Sequence, residues 1–89
     1  MTIYELLHAC REKYTQVEVR YAHPTLYIVV VDESFSDAPA ESRRAALAAR
    51  LELPETDIVL LENRSGISVE LVSASERETE LYFLTGREK

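Results

Sequence analysis

Three carboxylates, Asp32, Glu33 and Asp37, stand in a short acidic loop that follows an apolar run and precedes a helical pattern. Carboxylates gathered where a strand ends and a helix begins can hold Mg²⁺ together with water, so this trio is the candidate metal or catalytic site. The loop has no phosphate-cradling glycines and no neighbouring lysine, and its spacing fits neither an EF-hand nor a P-loop. Solvated loop carboxylates are the structural alternative. His8 and Cys10 lie two apart on a helix, which turns their side chains about 200° from each other and denies them a common metal. His8 and Glu12 share a helix face, as a minor stabilising pair does. His23, before Pro24, reads as a turn residue. Cys10 falls on an apolar stripe, which makes it a core thiol and not a nucleophile. No residue is assigned a catalytic or cofactor-binding role. Arg43 and Arg50, seven apart, form one stripe able to receive a carboxylate- or phosphate-bearing partner. The alternative is a solvated face in which Arg43, Arg44 and Arg50 pair locally with Glu41 and Glu52.

The elements that must position these residues follow from periodicity. Thr2 and Glu5 have capping-box spacing, and Ile3, Leu6, Leu7, Cys10 and Tyr14 recur at helical offsets, predicting a helix over 3–14. Val17, Val19 and Tyr21 alternate with Glu18 and Arg20, predicting a half-buried strand. Ala22-His23-Pro24-Thr25 is a turn, and Leu26 to Val31 is a strand apolar on both faces, paired with its predecessor as a hairpin. Asp37 and Pro39 open a second helix that runs through the alanine-rich stretch to about Leu51, with Arg43, Arg44 and Arg50 reaching solvent, and Pro54 stops it. Asp57 to Glu62 reads as a further strand, Asn63–Gly66 as a turn, and Ile67, Val69 and Leu71 as the return strand of a second hairpin. At the C-terminus, Ser73 and Ser75 each precede a Glu by three and favour a helix start, whereas 79–85 has the aromatic content of a strand. The strand is preferred, with residues 76–85 helical as the alternative.

The result is one α+β domain over residues 1–89: two helices on one face of a mainly antiparallel four- or five-stranded sheet, in the order α-β-β-α-β-β-β. A chain of 89 residues, 46% hydrophobic, supports one core and no separate cofactor domain. The formal charge of −6 argues against nucleic acid as a partner, because phosphate neutralisation requires basic residues. A single cysteine excludes an intramolecular disulfide scaffold. The longest apolar run falls far short of the ~20 residues of a membrane helix, and the first residues do not read as a signal peptide. A cytoplasmic location without membrane contact is the expectation.

His23-Pro-Thr-Leu-Tyr-Ile-Val-Val-Val, followed by Phe35 and Arg43, is similar to the middle of BolA-like proteins, in which an apolar strand, a loop phenylalanine and a helix-borne arginine occur in this order. The resemblance covers about a third of the chain. It implies a type II KH-like α+β fold and a partnership with monothiol glutaredoxins, that is, a redox regulator. Two positions depart from the pattern: Arg43-Arg44 replaces an Arg-His pair, and Asp57 stands where a histidine opens the later strand. Without that histidine the iron–sulfur role has no ligand to carry over. There is also no Gly-x-x-Gly loop for KH-type RNA binding.

Because two central strands look apolar on both faces, two helices leave one face uncovered, and a C-terminal segment or a second copy must cover it. The expected function is therefore a non-enzymatic protein–protein interaction or regulatory module that dimerises through its sheet. Arg43, Arg50, Tyr27 and Val29 are its partner-binding residues, and no cofactor is expected. The competing reading is a small metal-dependent or phosphate-handling enzyme using Asp32, Glu33 and Asp37.

Overall fold

The computed structural model describes residues 1–78. Helix α1 (Ile3–Lys13) leads into a hairpin of β1 (Gln16–Ala22) and β2 (Thr25–Val31). A 3-10 turn (Glu33–Phe35), helices α2 (Ala40–Leu51) and α3 (Glu55–Ser65), and β3 (Ile67–Val72) follow. Residues 74–78 begin another helix, α4.

The start of α1 is fixed by the expected capping box: Glu5 N–H donates to Thr2 Oγ1 at 3.1 Å, and Thr2 N–H donates to Glu5 Oε1 at 2.8 Å. Its buried residues are Leu6 and Cys10, and Tyr14 caps its end. In the hairpin, Ala22 pairs with Thr25 across a two-residue connection, His23-Pro24, whose peptide bond is cis.

The segment 57–62, expected as a strand, is the middle of α3. Pro54 precedes the helix, and Glu55 and Asp57 in its first turn complement the positive end of the backbone dipole. Ile58 and Leu61, three apart, are buried, while Val59 and Leu60 face outward. An apolar run that reads as doubly buried on a strand is thus divided by helical geometry into a core pair and a surface pair. Gly66 ends the helix in the left-handed conformation (φ 68°) and is its C-cap, not a hairpin turn.

With α3 in place of a strand, the chain after β2 passes through two helices before it returns, and β3 aligns parallel to β2. Among the described residues the sheet therefore has three strands, in the order β1-β2-β3. It is mixed, β1 with β2 antiparallel and β2 with β3 parallel, where an antiparallel sheet of four or five strands was expected. The α+β class stands. The preferred C-terminal strand at 79–85 lies outside the described residues; just before it, 74–78 is helical, as the Ser73 and Glu76 spacing favours. There Ser73 and Glu76 cap α4 reciprocally: Ser73 N–H donates to Glu76 Oε1 at 2.8 Å and Glu76 N–H to Ser73 Oγ at 3.3 Å.

The core lies between one face of the sheet and helices α1, α2 and α3. Ile28 and Val30 of β2 and Ile67 and Val69 of β3 meet Leu6, Cys10, Leu47, Leu51, Ile58 and Leu61 from the helices. Phe35 of the 3-10 turn plugs the end of this layer beside Tyr14, with ring centroids 5.9 Å apart.

Candidate functional site

The acidic trio is separated and put to local structural use. Asp32 caps the 3-10 turn, accepting from Ser34 N–H at 3.1 Å and from the Ser34 hydroxyl. These bonds hold its carboxyl below the usual range. Glu33 accepts from Ala74 N–H at 3.3 Å, tying the turn to the start of α4. Asp37 sits at φ 61° in the loop and does not cap α2, whose first turn is preceded by Pro39. Asp32 and Glu33 line a small groove with Thr15, Gln16, Val31 and Ala74, away from Asp37. Among the described residues, no three His, Cys, Asp or Glu side chains are placed to hold one metal ion.

The histidines and the cysteine are likewise dispersed. His8 Nε2 lies 3.2 Å from Glu12 on the exposed face of α1, and His23 Nδ1 lies 2.9 Å from the Tyr21 hydroxyl at the hairpin turn. Cys10 is fully buried, and burial pushes its thiol up to about 11, so it remains protonated at neutral pH. Asp57, which stands where the BolA-like pattern has a histidine, is in the first turn of α3; the later strand opens on Ile67.

Arg43 and Arg50 do not form one receptor. Arg43, expected at the solvent, is held inside the molecule. Its Nε donates to Ala38 O at 2.8 Å and its Nη1 to Leu71 O at 2.7 Å, while Nη1 and Nη2 grip both carboxylate oxygens of Glu76 at 2.9 and 2.8 Å. This bidentate bond and the Ser73 amide hold Glu76 down to about 2. Arg50 instead lies over the Tyr14 ring, 4.7 Å from its centroid. Arg44 pairs with Glu62 at 2.9 Å, joining α2 to α3, and Glu62 also accepts from Val69 N–H.

The sheet face away from α1–α3 was expected to need cover from a C-terminal segment or a second copy, and Arg77 of the C-terminal α4 does reach it. Val29, at the centre of this face, has 0% exposure within the single chain. Its direct neighbours are Glu18 on β1 and Glu70 on β3, with Arg20, Tyr27 and Ser68 one row along. Arg77 of α4 reaches across to Glu18, its Nε 3.0 Å from Oε1, and Arg20 lies 3.8 Å from Glu70 and 5.5 Å above the Tyr27 ring. Long charged side chains thus lie on this face of the sheet and pair across it. Val29 therefore offers no surface to a partner, and Tyr27 is roofed by Arg20.

Among the described residues, what remains open is the outer edge of β1. Among the described residues β1 pairs only with β2, so the outer edge of its seven residues has no strand beside it. On the helix side of this edge Val19 is 43% exposed and Tyr21 63% exposed, beyond the reach of the helices that bury Ile28 and Val30. A second apolar surface follows α3, where Val59 and Leu60 line a shallow groove with Glu55 and Thr56. Periodicity had placed Val19 and Tyr21 on an inward face, and the signal missed was topological: an edge strand can point its apolar residues past the end of the helix layer. No helix among the described residues is long and apolar enough to cross a membrane. No family model, no curated protein and no solved structure matches this chain, so its likeness to BolA-like proteins rests on the residues quoted for it alone.

Proposed function

We propose that the protein is a non-enzymatic interaction module whose working surface is the outer edge of β1, where a partner strand extends the sheet. The observation that carries this reading is the juxtaposition of a seven-residue edge, unpaired among the described residues, with Val19 and Tyr21 exposed along it. An edge strand presents a row of unused N–H and C=O groups, and pairing by strand addition draws its affinity from them and its specificity from alternate side chains. Val19 and Tyr21 supply the apolar contact, and tyrosine is among the residue types that dominate interface energies. The residue types that carry catalysis are occupied elsewhere: Cys10 in the core, Asp32 and Glu33 as caps, Arg43 as a clamp.

The test uses isotopically labelled full-length protein titrated with a panel of extended heptapeptides of alternating apolar and charged residues. The expected result is chemical-shift change centred on residues 16–22, lost in the Val19→Lys/Tyr21→Lys variant. Mg²⁺ and inorganic phosphate are titrated in parallel. Shifts confined to Asp32, Glu33 and Asp37 on adding either, with no peptide moving β1, would overturn the reading in favour of metal-dependent or phosphate-handling chemistry.

A further inference from the structure

We infer that the strand received by the β1 edge is β1 of a second copy, running antiparallel about a two-fold axis through Val19 and joining two three-stranded sheets into one of six. The inference rests on the edge-docking reading and names its partner. β1 spans Gln16–Ala22, so Val19 is its midpoint, and a two-fold axis there pairs the strand along its whole length. Glu18 then stands opposite Arg20 of the second copy, and Arg20 opposite its Glu18. On the other face Val19 meets Val19, and Val17 meets Tyr21. The strand is thus complementary to itself in both charge and apolar contact, as the symmetry of an isologous interface demands.

The same residues select the register. Moving the axis to Glu18 sets Glu18 against Glu18, and moving it to Arg20 sets Arg20 against Arg20, each with like charges directly opposite. Axes between residues pair the helix-side face of one strand with the opposite face of the other, which the period of two forbids. Axes at Val17 or Tyr21 also avoid like charges, but each pairs only three residues of the strand and sets no opposite charges across it, so the Val19 axis alone pairs all seven residues and places Glu18 opposite Arg20. The existing bonds of these side chains are compatible with it: Glu18 and Arg20 lie on the face away from α1–α3, about a third exposed, where Arg77 and Glu70 already alternate in sign with them. A second copy extends that alternation across the dimer axis.

Sedimentation of the full chain over a range of concentrations tests this, together with charge reversal. Glu18→Arg and Arg20→Glu are each expected to weaken the dimer about tenfold or more, because each puts two like-charge pairs across the axis. An equimolar mixture of the two variants is expected to recover a dimer, since both cross-strand charge pairs in the heterodimer are again opposite in sign. Circular dichroism reports whether either variant has lost its fold. Independently of that, Val19→Cys is expected to form a disulfide-linked dimer under mild oxidation, since antiparallel partners have Cα atoms about 4.5–5.5 Å apart. Glu18→Cys and Arg20→Cys are expected to cross-link when mixed and not when alone. Monomeric protein at all concentrations with no Val19→Cys cross-link overturns the self-pairing, as does a dimer that both charge reversals leave intact. If heptapeptides still bind β1 in that event, the edge-docking reading survives with a different partner; if they do not, both fall.

Discussion

Arg43 joins three parts of the chain that are distant in sequence: the loop at Ala38, the end of β3 at Leu71 and α4 at Glu76. A guanidinium can do this because its donors are fixed in a plane and match both a carbonyl and a bidentate carboxylate. Removing it leaves the Leu71 carbonyl and the Glu76 carboxylate without this donor, so Arg43→Ala is expected to destabilise the protein by about 2–3 kcal/mol in urea unfolding at neutral pH. Glu76 adds a pH signature. Its pKa is lowered from 4.5 to about 2, chiefly by the Arg43 hydrogen bond, so the unfolded chain binds the proton first as pH falls. Its contribution is fully present above about pH 4.5 and is lost as pH drops toward 2. Glu76→Gln is therefore expected to be less stable than the wild type at neutral pH and equal to it near pH 2. A gap that persists unchanged at pH 2 would show that this ion pair is not its source. The sequence displayed Arg43 as part of a stripe with Arg50, because spacing reports only which side of a helix a residue leaves from. Which carbonyl or carboxylate awaits it there depends on segments 28 and 33 residues further along.

At the scale of elements, α1, β1, β2 and α2 follow closely from local pattern, since capping residues, alternation and proline placement all point the same way there. The stretch Ile58-Val-Leu-Leu61 does not decide itself, because a short apolar run satisfies a buried strand and a surface helix alike. The deciding cues sit at its flanks: Pro54 with Glu55 and Asp57 at a helix start, and Gly66 at a helix end. The two assignments make opposite claims about Ile58 and Leu60, which share a face in a strand and are separated in a helix. Ile58→Ala is expected to cost about 2–4 kcal/mol and Leu60→Ala less than about 1 kcal/mol, measured by thermal or urea unfolding. Equal large losses would argue for the strand. This one element also changes the sheet: a strand at 57–62 would make a hairpin and antiparallel pairing, whereas the helix forces a crossover and parallel alignment of β3 with β2.

At the scale of the whole molecule, the chain covers both faces of β2 by different means. One face meets three helices through hydrocarbon, and the other carries, among the described residues, the pairs Glu18–Arg77 and Arg20–Glu70, with Val29 fully buried. Val29→Asp is expected to destabilise the isolated chain by more than about 3 kcal/mol, because a carboxylate there is buried without a partner. If that face were an open interface, the same substitution would leave the unfolding midpoint nearly unchanged. The sequence by itself determined the α+β class, the hairpin, the inward position of Cys10 and the apolar excess of β2, all of which depend on neighbours within a few residues. The tertiary structure decided that the sheet is mixed, with β3 parallel to β2. It also decided that Asp32 and Glu33 of the acidic loop serve as caps, and that among the described residues the edge of β1, not the face of β2, is open. Those outcomes turn on which distant side chains arrive to cover a given position, and periodicity carries no information about arrivals from elsewhere in the chain.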